Sequence, residues 1–241
     1  MRNTRKYRGF SLIEVLLAVS TLAIGMIFIG GTFLTGIYFA TISTERTIAA
    51  VAADEAFAKI RLYGINLTDP NLVVDQLAPL EALNTIAAEE FSYPSIASLA
   101  EKQYYWSALC RQVGSGPAKR LVQVTVFVSR KVGNSTMYPG GSQKPAPIKV
   151  GVSTVAGAGN ENKLTINVAG EEIFINGGST IADNQTGRLY RVWQRDPAAP
   201  NIIVLDRPWL EGSNSSVWVV PPPVGGGRYP CIAIYQKVIR F

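Results

Sequence analysis

The chain has 241 residues, a formal net charge of +6, 47% hydrophobic residues and no histidine. The missing imidazole excludes Ser-His-Asp and Cys-His catalysis, histidine proton relays and histidine-containing metal sites, so most enzyme classes lose their usual tools. The length fits one globular domain of ordinary size in addition to an extended segment.

The first predicted element is a long apolar helix. Arg2, Arg5, Lys6 and Arg8 precede Gly9, and an apolar stretch from Phe10 to Ala40 follows whose one charge is Glu14. About 20 apolar residues at 1.5 Å rise span a bilayer, so this stretch is long enough to do so. The basic flank keeps the start of the chain in the cytoplasm and sends the C-terminal bulk across. A secretory signal peptide carries its cleavage site after a short apolar core. Here the processing junction, Gly9-Phe10, lies before the core. A carboxylate at the fifth apolar position costs about a few kcal/mol in a bilayer unless it finds a partner, which makes Glu14 a functional residue by default. Its expected partner is a newly made amino terminus. An ordinary signal anchor with a snorkelling Glu14 would need the basic leader, the Gly-Phe junction, the acid spacing and the apolar run to coincide.

The segment Arg8-Gly9-Phe10-Ser11-Leu12-Ile13-Glu14-Val15-Leu16-Leu17-Ala18 resembles the class III signal of type IV pilins and type II secretion pseudopilins. The resemblance implies that a membrane-embedded aspartyl prepilin peptidase cuts on the cytoplasmic side between Gly9 and Phe10 and that Phe10 becomes N-methylated. It implies further that Glu14 pairs with an N-terminal ammonium during filament assembly. An ion pair of that kind in a low-dielectric setting tolerates the loss of one partner badly. Four of the cations sit in the leader, so most of the formal excess charge leaves with it, and no nucleic-acid partner is expected. The phrase Leu22-Ala23-Ile24-Gly25-Met26, with the helical segment that follows, is similar to the I-type minor pseudopilin and its pilus counterpart.

From Ser43 to Tyr63 the pattern stays helical. Ala49, Ala53, Phe57 and Ile60 share one face, Glu55 and Lys59 make an i,i+4 pair, and Gly64 is a C-terminal stop. A straight helix from Phe10 to Tyr63 would reach roughly 80 Å. Gly25, Gly30, Gly31 and Gly36 allow either local bending or close helix packing. Residues 65–102 read as a connector with short Ala- and Leu-rich helices between Asp69-Pro70 and Tyr93-Pro94 turns. Gln103–Gln112 and Arg120–Arg130 alternate as two half-buried strands, similar to the antiparallel head sheet of the same family.

A Gly/Pro/Ser-rich stretch from Gly133 to Pro147 leads into a β-rich run, with strands expected at Lys163–Val168, Glu172–Ile175, Arg188–Trp193, Ile202–Leu205 and Val217–Val220. Turn residues at Asn176-Gly177-Gly178, Thr186-Gly187, Asp196-Pro197 and Gly212-Ser213-Asn214 separate them. After Pro221-Pro222-Pro223, the run Cys231–Ile239 is placed as the returning last strand of the first sheet. The expected fold is α+β: a long N-terminal helix, membrane-spanning over 10–40, packed on an antiparallel sheet head that carries an inserted small β-barrel or β-sandwich. The expected divisions are a leader over 1–9, the helix over 10–64, the first part of the head over 65–132, the β-rich insertion over 133–225 and the returning strand over 226–241. In that topology Cys110 and Cys231 are candidates for a disulfide at the base of the insertion, the alternative being two free thiols; a bridge would stabilise by about 2–4 kcal/mol.

Weaker patterns carry little. The Asn-x-Ser/Thr patterns at Asn66, Asn134, Asn184 and Asn214 are not expected to be modified in a chain with a bacterial-looking leader. Asp183-Asn184 and Asn160-Glu161-Asn162 fall short of a calcium loop, and Gly225-Gly226-Gly227 lacks the Lys-Ser/Thr of a phosphate loop. Trp193, Trp209, Trp218, Tyr190 and Tyr229 either line a surface or fill a core. No cofactor, metal site or catalytic constellation is expected. The reading is a noncatalytic subunit of a type II secretion pseudopilus or type IV pilus, in minor or tip position, single-pass in a bacterial inner membrane with a periplasmic head, and extracellular after assembly. Its partners are the prepilin peptidase, membrane lipid, other pilins or pseudopilins through the N-terminal helix, and secretion cargo. The alternatives are an adhesive or major pilus subunit whose inserted β region binds a surface or DNA, and a membrane-tethered polysaccharide-acting enzyme using acids among Glu161, Glu171, Glu172, Asp183 and Asp206.

Overall fold

A computed structural model of the chain describes residues 9–96, 102–114, 120–131, 136–139, 141–226 and 229–241. The leader cations Arg2, Arg5, Lys6 and Arg8 lie outside the described residues, as do Gly133, Asn134 and Ser135 of the Gly/Pro/Ser stretch, and Gly227. The chain forms two compact units, Met1–Glu45 and Arg46–Phe241.

The first unit is helical from Leu12 onward. Helix α1 (Leu12–Tyr63) runs without interruption through all four glycines and on into the second unit. Its start is fixed locally: the Ser11 hydroxyl accepts the Glu14 amide at 3.3 Å, and Glu14 sits in the first turn, where a carboxylate complements the exposed N–H groups. Its end is fixed by Gly64, which takes φ +74° and donates its N–H to the Ile60 carbonyl at 3.0 Å, a conformation natural to glycine at that position.

The second unit has three layers. The last turns of α1 bury Ala49, Ala52, Ala53, Ala56, Phe57 and Ile60, a small-residue stripe that lets the backbone approach a sheet closely. That sheet contains β1 (Ala78–Pro79), β2 (Ser92–Tyr93), β3 (Tyr104–Gln112), β4 (Leu121–Arg130) and β11 (Cys231–Arg240), all antiparallel, in the order β1-β3-β4-β11 with β2 also on β3. Trp106, Ala108, Cys110, Val122, Val124, Val126 and Val128 face the helix. The alternate residues Leu109, Phe127 and Ile234 face the other way and are covered by Ala182, Leu189, Trp218 and Val220 of the insertion. Because both faces are covered, β3 and β4 are buried almost throughout, instead of half-buried as their alternation suggests. Among its described residues the connector supplies a one-turn helix α2 (Leu80–Leu83), a 3₁₀ turn at Ala88–Phe91 and the two short strands.

Between β4 and β11 the chain builds a closed six-stranded antiparallel barrel in the order β10-β5-β6-β9-β8-β7. Its strands are β5 (Ile148–Thr154), β6 (Lys163–Ile166), β7 (Thr180–Asp183), β8 (Leu189–Asp196), β9 (Ala199–Leu205) and β10 (Asn214–Val219). The expected strand over Glu172–Ile175 is instead a 3₁₀ turn at Glu171–Phe174. Gly170 enters it at φ +91°, and the Glu172 carboxylate accepts the Gly170 N–H at 2.6 Å, which closes the turn. β5 and β7 were not anticipated. β11 then pairs along β4 from Leu121 to Ser129, so the barrel is an insertion in the head sheet.

Candidate functional site

The apolar half of α1 is a site by its surface. From Leu12 to Phe39 the large side chains are exposed, with Phe28 at 73% and Leu12 at 83%, and no described residue of the first unit covers them. Among the described residues this is the one helix long and apolar enough to cross a membrane. The hydroxyl groups of Ser20, Thr21, Thr32, Thr35, Thr41 and Thr44 are satisfied within the helix, each donating to the carbonyl four residues earlier at 2.8 to 3.1 Å. A side chain that returns its one donor to the backbone leaves no polar group for lipid to solvate, as a bilayer requires. Gly9, Phe10 and Glu14 are all exposed at the start of this helix, and a Cβ built on Gly9 would meet nothing.

Among the described residues the head holds no comparable constellation. The barrel interior is filled by Val150, Val152, Leu164, Ile181, Tyr190, Val192, Ile203 and their neighbours, so it is a packed core. Of the aromatic residues singled out from sequence, Tyr190, Trp209 and Trp218 belong to that core and to the barrel-sheet interface, and Trp193 is 72% exposed. The five acids lie in four separate places, Glu171 and Glu172 sharing the 3₁₀ turn at Glu171–Phe174. Asp183 is fully buried, and its carboxylate accepts from Gln185 N, Thr186 N, Thr186 Oγ1 and Ser215 Oγ at 2.7 to 3.0 Å. Glu161 accepts Gly159 N, Glu172 accepts Gly170 N, and Asp206 accepts Arg191 N. Glu161, Glu172 and Asp183 thus shape their own turns, and Asp206 ties its segment to β8.

The cysteines are free thiols, which corrects the candidate bridge. Cys110 lies opposite Val124 on one side of β4, and Cys231 lies opposite Ser129 on the other side. Two strand spacings and five residues of register separate them, roughly 10 Å by 17 Å, whereas a disulfide needs Cα atoms within about 7 Å. Cys110 also points toward the helix and Cys231 toward the barrel. Burial pushes both thiols up to about 12.

Two openings on the head are lined by described residues. A cleft of about 580 Å³ lies among Pro139, Phe174, Arg195, Pro222 and Val224, and the Arg195 guanidinium is turned onto the backbone carbonyls of Ile175 and Glu172. A smaller one of about 270 Å³ runs beside Ile232, Ala233 and Ile234 of β11 and is lined by Arg46 and Arg191. Sequence reasoning missed this second opening because Arg46 and Arg191 are far apart in the chain. No family model matches the chain, and no curated protein or solved structure is similar to it.

Proposed function

We propose that the chain is a noncatalytic, membrane-inserted pilin-like subunit that prepilin peptidase processes between Gly9 and Phe10. It then assembles into a type II secretion pseudopilus or type IV pilus in a minor or tip position. The observation that carries the reading is the exposed apolar half of α1 with Glu14 in its first turn, preceded by the basic leader and the Gly9-Phe10 junction. A helix with so much uncovered apolar surface needs lipid before assembly and neighbouring helices after it. In this reading Glu14 pairs with the Phe10 ammonium and sets axial register, the membrane is the bacterial inner membrane with the head outside the cytoplasm, and the head meets other subunits or secretion cargo.

N-terminal peptide mass spectrometry on membrane and sheared-filament fractions, with and without active prepilin peptidase, tests it. A peptidase-dependent N-methylated Phe10 terminus at low abundance relative to the filament body is the expected result. An intact Met1-Arg2 start under both conditions would overturn it.

A further inference from the structure

The head sheet has one blunt edge and one open edge. At the blunt edge, β1 and β2 are two residues each, and Pro79 and Pro94 end them, which limits further pairing. At the other edge stands β11, ten residues long and paired on one side with β4. The Phe241 N–H donates to the Arg120 carbonyl at 2.9 Å, so in this antiparallel register the odd residues from Ala233 to Phe241 turn their backbone groups toward β4. Ile234, Gln236, Val238 and Arg240 therefore turn theirs outward. None of these outward N–H or C=O groups has a hydrogen-bond partner among the described residues.

The surroundings of this edge are cationic. Arg46 and Arg191 line the opening beside Ile232 and Ile234, no carboxylate lines it, and neither guanidinium has an acidic partner among the described residues. Lys237 and Arg240 follow farther along the strand, with Asp54 the acid paired to Lys237 at 2.7 Å.

We infer that β11 is a strand-addition site for an extended acidic segment of a partner protein. The partner's backbone pairs with Ile234, Gln236, Val238 and Arg240, and a carboxylate of the partner enters the opening between Arg46 and Arg191. Successive outward groups on an extended strand recur about every 6.8 Å, the repeat an incoming strand presents. A second copy of the chain is the poorer occupant, because pairing β11 with itself sets this cationic strip against its own image. The site lies on the head and does not rest on the processing of the N-terminus.

The test uses the full chain in detergent micelles and a fluorescent nonapeptide, blocked at both ends, that alternates threonine with glutamate; the same peptide with lysine for glutamate is the control. The glutamate peptide is expected to bind, to slow exchange of the Ile234, Gln236 and Val238 amides, and to leave the lysine peptide unbound. Val238→Pro removes an N–H that faces away from β4, so it spares the sheet and is expected to weaken binding at least about tenfold. The double variant Arg46→Glu, Arg191→Glu changes only exposed side chains and is expected to weaken binding by at least about tenfold as well. Failure of the glutamate peptide to bind, binding without protection of the alternate β11 amides, or equal binding of the lysine peptide would overturn the site. So would a free chain that sediments as a dimer with those amides already protected. All of these outcomes are independent of what happens at Gly9-Phe10.

Discussion

The side-chain amide of Gln236 on the returning strand donates to the Gly187 carbonyl in the β7–β8 turn at 2.6 Å, and also to the Thr125 hydroxyl at 3.0 Å. Arg111 of β3 bonds the Gln185 carbonyl of the same turn at 3.2 Å and the Gln123 side chain at 2.7 Å. The barrel is thus seated on the sheet by one tight turn pressed among polar side chains of three strands. Gly187 is central to it. It holds φ +70°, and a Cβ there would lie 2.8 Å from the amide nitrogen of Gln123.

Gly187→Ala is therefore expected to lower the stability of the head by about 1–3 kcal/mol, combining a left-handed backbone with a close contact. The urea midpoint followed by tryptophan fluorescence reads this. Adding Gln123→Ala is expected to restore part of the loss, because it relieves the contact and leaves the backbone strain. An unchanged midpoint in the single variant would show that the turn yields without cost.

A second junction is electrostatic. Lys59 of α1 pairs with Glu90 at 2.8 Å and with Glu55 at 3.2 Å, and it also bonds the Glu90 carbonyl, which Trp106 Nε1 shares at 2.9 Å. The hydrogen bond and charge of Lys59 hold the Glu90 carboxyl below its ordinary value of 4.5. A carboxyl whose folded pKa is depressed contributes stability that is present above the unfolded value and lost as pH falls through the folded one. Head stability is expected to decline as pH drops below about 4.5, and Glu90→Gln is expected to flatten that decline while costing stability at neutral pH. Because Glu90 is about a third exposed, the effect is modest and shrinks in salt. Parallel pH titrations of the urea midpoint in the two proteins check it; identical slopes would remove Glu90 from the account.

Much of this fold is legible in the chain because it rests on local spacing. The face carrying Ala49, Ala53, Phe57 and Ile60, the Gly64 stop and the strands β3, β4 and β11 all follow from periodicity and turn residues. What spacing cannot carry is what lies on the second face of a sheet, and so the burial of Leu109 and Phe127 under the barrel was not legible. β5 alternates cleanly, with Val150 and Val152 inward, but Pro145, Pro147 and Gly151 make the region read as linker. β7 ends in Asp183, which looks like a solvated turn acid and is instead buried by bonds to its own turn. The apolar span of α1 needs only contiguous residues and is visible at once. The β11 edge depends on which strands pair with it, a long-range property that no local pattern records.

The thiols give a third expectation. Both cysteines are free and burial raises their pKa values to about 12; Cys110 is fully buried and is expected to resist alkylation in the folded chain, whereas Cys231, half-buried where the smaller opening meets β11, is expected to react slowly. Denaturant exposes both to the reagent. Intact mass after iodoacetamide, with and without denaturant and without reductant, distinguishes this from a bridged pair, which would take up no label when unfolded. Cys231→Ala is likewise expected to cost less than the roughly 2–5 kcal/mol that accompanies loss of a native bridge.

The last expectation concerns Glu14, exposed in the first turn of α1. Glu14 sits near one end of the apolar span, so removing its carboxylate lowers the cost of insertion by less than the roughly 2.5–3.5 kcal/mol that a charge costs at the centre of a span, and Glu14→Ala is expected to reach the membrane at least as well as the parent chain. Assembly should move the other way. A terminal ammonium left without its carboxylate among packed helices costs about 3–5 kcal/mol, which is at least about a hundredfold in an equilibrium. The measurement is the ratio of the chain in the sheared-filament and membrane fractions, with N-terminal mass spectrometry to verify that processing still occurs. Glu14→Gln separates charge from shape, since it keeps the volume and a hydrogen-bond acceptor and loses the ion pair; it is expected to fail nearly as badly as the alanine variant. A fraction ratio that neither substitution changes would mean that apolar packing alone seats the helix, and the pairing role given to Glu14 would have to be abandoned.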